Sequence, residues 1–399
     1  MSKDAVPTAH PSSTPSKPTP QIVLMIVALM AVALNLRPIM AAISPILDLI
    51  QATTGLSDAN VSLLTTFPVF VMGLFALLGA YIQRMISEKT GILLSVGLIM
   101  LACLSRYWLH SGFTLLLSAV VGGMGIALAQ VLIPAFIKTH APERSGTLMG
   151  FYTTAIMAGA AMTAAVSSPL SHSFGWQNFL AMLAIPALLA AVLWFIATRQ
   201  LADTTQQENS RLPLKSRRAW LLMLFFGIGT AAYTLVLAWL PPYFNQLGWN
   251  TTQSGLLLSA VTVCEVLTGL TLSSIIHRFP DRRPLLWLVL SILLIGLLLL
   301  IYIPNQFIAF TIIMLGIGIG ALFPLTLIVA MDHVNNAAQA GSLLGFVQGG
   351  GYMLASFMPL LAGIVRQHSS QLTQAWQIML VGVVILWIMT FRLKPNSQL

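Results

Sequence analysis

The chain has 399 residues, 57% of them hydrophobic and only 7% charged. Soluble domains carry about 25% charged residues, so a water-soluble globular protein is excluded and most of this chain must lie in a bilayer. The net charge of +9 comes from 19 Lys and Arg against 10 Asp and Glu, and the basic residues fall in short loops, which points to membrane topology and away from nucleic-acid binding.

In chain order, residues 1–20, "MSKDAVPTAHPSSTPSKPTP", are rich in Pro, Ser and Thr and read as a disordered tail. No short apolar region with a small-residue cleavage site follows, so the tail is not a signal peptide. A spanning helix needs roughly 20 mostly apolar residues. Twelve such runs lie near 22–46, 60–82, 90–109, 113–137, 146–168, 178–198, 219–243, 254–276, 285–303, 307–331, 341–365 and 374–391. A polar central loop, 199–218, divides them into six-helix bundles over 21–198 and 219–392, with a short tail over 393–399. With both termini cytoplasmic, sixteen of the nineteen Lys and Arg lie on the cytoplasmic side, and only Arg37, Arg106 and Arg366 remain elsewhere. Cys103 and Cys264 lie inside apolar runs, so neither a disulfide framework nor a metal site is expected.

The first span, "ALMAVALNLRPIMAAISPILDL" over 28–49, holds the most informative residue. Ala33, Arg37, Ala41 and Ser44 share one helical stripe, with Asn35 about 200° around from Arg37. Pro38 removes a backbone hydrogen bond and predicts a kink. A charge at mid-bilayer costs at least about 2.5–3.5 kcal/mol on insertion scales, so Arg37 needs an anion, water or an acidic partner. Two readings follow: a docking point for a small anion, or a structural pair with Glu265 or another polar group across the bundle. Arg106 lies near the end of the third span. Gln130, Pro134 and Lys138 line one face of the fourth, with Gln130 suited to hydrogen-bonding a solute and Lys138 at the cytoplasmic mouth.

Tyr152, Tyr233 and Trp239 are candidate cavity aromatics, with anchoring at the bilayer interface as the alternative. Glu265 is the one acid deep within a span; it reads as a proton-carrying carboxylate, a static counter-charge or a residue near the rim. Asp332 and His333 close the tenth span. An acid there opposes the helix dipole and should have a basic partner, as a gate latch, a proton site or a plain helix-end charge. On the eleventh span Gly341, Gly345, Gln348, Tyr352 and Ser356 form a polar face.

The halves also repeat. Gly146, Gly150 and Phe151 recur 195 residues on as Gly341, Gly345 and Phe346, and Gly123 and Gly125 map to Gly318 and Gly320. Two parallel six-helix repeats about an axis along the membrane normal fit this pattern. The almost wholly apolar sixth, ninth and twelfth spans, and the third apart from Arg106, belong on the lipid flank. No Walker loop, zinc spacing or paired carboxylates appear, so no catalytic residue, metal, cofactor or enzymatic activity is expected.

"LNLRP", "GAYIQRMISEK", Arg106, "AQVLIPAFIK", "LAWLPPYF", "FPLTLIVAMDH" and "GFVQGGGY" together resemble the cyanate/nitroimidazole transporter (CynX/NimT) branch of the major facilitator superfamily, closest to its cyanate side. The resemblance covers nearly all the chain past residue 21. It implies an all-α membrane protein with twelve transmembrane helices in two pseudo-symmetric six-helix bundles, working as a small-solute permease of the bacterial inner membrane. It carries over Arg37, Arg106, Gln130, Lys138, Tyr233, Asp332, His333 and Gln348 as family-like positions. Two departures stand out. Gly79-Ala-Tyr-Ile is followed by Gln83-Arg84 in place of the superfamily's usual Asp, while "HRFPDRRP" keeps Asp281. Relatives of the cyanate type often have Gln where this chain has Glu265, which makes a proton role there peculiar to this chain.

The expected mechanism is alternating access by a monomer. Arg37 binds a small anionic or strongly polar solute, with Gln130, Tyr152, Tyr233, Trp239, Gln348 and Tyr352 around it. Glu265, Asp332, His333, Lys138 and Arg106 serve proton coupling or gating. Anion entry against a negative-inside potential costs about 2.3 kcal/mol per 100 mV, so a proton or a counter-anion must travel too. The competing readings are proton-coupled efflux of nitroimidazole-like or other small drugs, and a sensor on a transporter fold.

Overall fold

The computed structural model describes residues 20–108, 111–201, 212–334 and 337–393. The expected tails, apart from Pro20 and Leu393, and residues 202–211 of the central loop lie outside these. Among the described residues every regular element is helical, and twelve spans are long and apolar enough to cross a membrane. They are Val23–Thr54, Asp58–Leu77, Glu88–Trp108, Gly112–His140, Pro142–Phe174, Trp176–Thr198, Arg217–Gln246, Thr251–Arg278, Arg283–Tyr302, Ile308–Met331, Gln339–Ser369 and Thr373–Arg392.

The boundaries differ most from expectation in the first span, which runs on to Thr54, and the fifth, which covers Pro142–Phe174; the second stops at Leu77 before a separate short helix, Gly79–Met85. Hydropathy marks only the lipid-facing length of a helix; polar caps set the true ends. Ser57, Ser111 and Ser216 each accept a hydrogen bond from a backbone amide three residues on, and Asn250 forms a capping box with Gln253.

Packing repeats between the halves. The third span packs on the fourth as the ninth does on the tenth, and the second on the fourth as the eighth on the tenth. The third and sixth pair as the ninth and twelfth do. The glycine register does not repeat. Gly123 abuts Pro68 of the second span and Gly125 the third span at Ser95 and Ile99, whereas Gly318 abuts Leu293 of the ninth and Gly320 abuts Glu265 of the eighth. The 195-residue offset therefore aligns whole spans but not the faces of the fourth and tenth.

The bundles join mainly where the second span packs on the eleventh and the fifth on the eighth, and the first span adds contacts to the seventh and eighth. At the first of these a Cβ on Gly73 would stand 2.6 Å from the Gly349 carbonyl oxygen, so the two backbones meet without side chains between them. The lipid flank is as the sequence suggests. Leu101, Leu189, Leu288 and Val381, on the third, sixth, ninth and twelfth spans, are each more than half exposed.

Candidate functional site

The first span is not one helix. Its helix Pro20–Leu34 stops, and the Asn35 and Leu36 amides bond back only three residues, to Val32 (3.0 Å) and Ala33 (3.1 Å). A four-residue helix, Pro38–Ala41, then starts, followed by the 3-10 turn Ser44–Ile46 and the helix Leu47–Thr54. The sequence predicted a kink at Pro38, and the structure has a break. Proline opens the new helix, where its missing amide would go unbonded anyway. The Leu34 carbonyl at the break lies against the fifth span at Gly159, where any side chain would collide with it.

The break turns Arg37 inward. Arg37 is 4% exposed; Nη1 meets the weak thioether acceptor of Met72 at 3.8 Å, and the Tyr352 hydroxyl is a further side-chain hydrogen-bonding neighbour. Its guanidinium lies 5.5 Å from the centroid of the Tyr233 ring, a cation–π arrangement. Nε has no partner, and among the described residues no carboxylate lies within ion-pair distance of Arg37. Asn35 points elsewhere, donating to the carbonyls of Ala31 (2.8 Å) and Pro186 (3.2 Å).

Arg37 lines a cavity of about 530 Å³ between the bundles, together with Gln130, Tyr152, Tyr233, Glu265, Gln348 and Tyr352. Among the described residues the buried Tyr152 and Tyr233 hydroxyls, like Arg37 Nε, have no hydrogen-bond partner. Phe226 and Phe323 add an apolar wall, Phe226 edge-on to Tyr352 at 5.4 Å. No lining residue comes from the third, sixth, ninth or twelfth span. The cavity reaches Gly146, Ser273 and Ile328, so it extends toward the end of the bundle that carries the basic loops. Glu265 shares the cavity without an ion pair to Arg37, while Tyr233 and Tyr352, across the bundle, stand beside the guanidinium.

The remaining predicted residues lie outside the cavity lining. Trp239 is fully buried and donates to the Pro359 carbonyl at 2.9 Å. Arg106 is fully buried within the first bundle. Lys138 lies in the last turn of the fourth span, at the basic end. Asp332 has the basic partner its position called for: Arg282 Nε donates to it at 3.1 Å. His333 stands 2.6 Å from the Val329 carbonyl through Nδ1 and 2.7 Å from Arg218 Nη2 through Nε2. That geometry suits a neutral ring that donates at Nδ1 and accepts at Nε2. Burial, joined by the Arg218 charge and partly offset by the Val329 contact and Asp332, holds its pKa below the usual imidazole value.

Sequence reasoning passed over the opposite end, where the bundles are joined. Arg366 of the eleventh span donates to Asp48 (2.8 Å) and Gln51 (3.4 Å) of the first and lies 3.4 Å from Asp58 of the second. Its guanidinium also lies 5.5 Å from the Trp239 ring centroid. Asn245 donates to Asp48 at 3.1 Å, Ser44 to the Ala238 carbonyl at 2.8 Å, and Ser168 meets Thr251 at 2.6 Å. The available signal was Arg366 itself, one of three arginines left over when the basic loops are assigned to one side.

A family model for the Major Facilitator Superfamily matches residues 23–356 and, again, 245–397. The chain belongs to the Major Facilitator Superfamily. Among its superfamily relatives, the cyanate transport protein CynX of Escherichia coli K12 is 33% identical over 376 residues, covering 93% of this chain and 97% of that protein. The 2-nitroimidazole transporter of the same organism is 30% identical over 374 residues, covering 91% and 92%. The inward-open xylose transporter XylE of E. coli shares the fold, with a TM-score of 0.73 at 16% identity over 92% of this chain and 95% of that one. This superfamily member is thus a multi-pass membrane transporter rather than an enzyme.

Proposed function

We propose that this transporter moves a small anionic or strongly polar, cyanate-like solute across the bacterial inner membrane by alternating access, as a monomer with its termini in the cytoplasm. One observation carries the reading: among the described residues a guanidinium buried at mid-span has no carboxylate partner, and it shares one cavity with two buried phenol hydroxyls that lack hydrogen-bond partners. Buried donors left unmatched are costly, and a bound anion satisfies them. The positive-inside rule makes the basic end cytoplasmic, so the conformation described is inward-facing, with the Arg366 cluster closing the periplasmic side.

Glu265 supplies the coupling. A carboxylate facing the same cavity repels an incoming anion when ionised, and carries a neutralising proton when it is not. A proton travelling with the anion removes the electrical cost of entry. Exchange for a second anion is the other means of meeting that cost.

The test is counterflow in proteoliposomes with a panel of small anions and nitroaromatics, with and without a pH gradient. Saturable anion exchange whose KM Arg37→Gln raises about 10- to 100-fold supports the proposal; wild-type anion affinity in Arg37→Gln overturns it. The cavity volume and the Phe226–Phe323 wall favour one competing reading, efflux of a flat drug-sized solute, since pockets of about 300–1,000 Å³ hold such ligands. That reading predicts nitroaromatic counterflow that survives loss of the Arg37 charge.

A further inference from the structure

Arg106 is the buried cation that the proposed mechanism leaves unused. It is 0% exposed, yet no carboxylate among the described residues pairs with it. Burying such a charge costs several kcal/mol, so what it bonds to matters. Nε donates to Ser118 Oγ at 3.1 Å, and Ser118 donates in turn to the Leu115 carbonyl at 2.7 Å, so the fourth span holds the arginine in place. Nη1 donates to the Ile39 carbonyl at 3.3 Å.

Ile39 belongs to the four-residue helix that begins right after Arg37. At the end of that helix Ala41, Ala42 and Ile43 bond back to Arg37, Pro38 and Met40 in turn, a sequence that skips the Ile39 carbonyl. The Ala42 carbonyl just beyond is bonded by Ser167 Oγ of the fifth span, at 2.5 Å. Side chains of the third and fifth spans therefore do the work that backbone amides do in an unbroken helix. A cation at the C-terminal end of a helix also suits the dipole.

We infer that Arg106 is a positioning residue for the anion site: by capping the short helix Pro38–Ala41 it fixes the turn that presents Arg37 to the cavity. The inference rests on Arg37 being the anion contact. Arg106 itself touches no solute.

A double-mutant cycle on anion counterflow tests it, with KM and maximal rate read separately. Arg106→Gln should raise KM about tenfold with the maximal rate within about twofold of wild type. In an Arg37→Gln background the same change should do nothing further to KM, because no guanidinium remains to be positioned. Arg106→Lys keeps the charge and one donor and should recover part of the affinity; if Arg106→Gln does not fold, the cycle with Arg106→Lys decides. An unchanged KM, a parallel loss of rate and affinity, or an effect additive with Arg37→Gln overturns the inference. Should Arg37→Gln alone bind the anion normally, the functional proposal fails instead.

Discussion

Arg37, Glu265 and His333 are single residues whose surroundings make distinct predictions. A lysine at position 37 keeps the charge but offers a point donor in place of a planar fork. Arg37→Lys should weaken anion affinity about 3- to 10-fold, and Arg37→Gln about 10- to 100-fold, in line with roughly 1.5–3 kcal/mol for a hydrogen bond to a charged group. Equilibrium binding to purified protein checks both. Glu265→Gln should leave anion counterflow intact and abolish stimulation by a pH gradient; stimulation that persists in this variant removes the carboxylate from coupling. His333 titrates below its ordinary value of 6.5 in the folded protein. The unfolded chain therefore binds that proton more readily, so the His333 contribution is intact above pH 6.5 and is lost as pH falls below it. Thermal melting of His333→Gln should show a shallower loss of stability on the acid side than wild type. The charge of Arg37 could be read from the sequence, since no other charge lies so deep in the first half. Its lack of a carboxylate partner could not, because which carboxylate faces an arginine across a bundle depends on helix rotation, and helix rotation leaves no mark on one-dimensional spacing.

Among the elements, the broken first span matters most. Its discontinuity needs a glycine on the neighbouring helix: the Leu34 carbonyl occupies the space where a side chain at Gly159 would lie. Gly159→Ala should destabilise the protein by about 1–3 kcal/mol, the usual cost of overpacking, with a lower melting temperature as the readout. A melting temperature equal to wild type would mean the two helices separate freely. Twelve spans, their division into halves and their lipid flank were legible because bilayer thickness writes itself into run length and apolar content. The break at Asn35–Arg37 was legible only as a proline in an apolar run. A kink and a fresh start share that sequence, and the difference is made by partners on other helices, namely Arg106 and Ser167. The glycine repeat marked the two halves but said nothing of packing faces: similar motifs at a constant offset meet different neighbours.

For the molecule as a whole, the alternating access proposed above requires the closed end to open, and its contacts are polar. Arg366 holds the first and second spans to the eleventh, beside Trp239 of the seventh. Arg366→Gln should shift the resting population toward a form open at this end, read as longer spin-label distances between the ends of the second and eleventh spans that Arg366 joins. Asp48→Asn should shift it less, because Asp58 and Gln51 remain. An unchanged distance distribution in Arg366→Gln would show the cluster to be incidental to closure. The Arg366–Asp48 pair is also partly exposed, with side-chain exposures of 15% and 36%. Charges that water reaches are weakened by dissolved ions, whose screening length is about 8 Å at physiological ionic strength. The cavity-lining Arg37, sealed from that face, does not feel the same ions. Brine added only outside a vesicle should therefore loosen the closed face without touching the binding residues, so that the resting orientation of the transporter answers to the saltiness of one compartment.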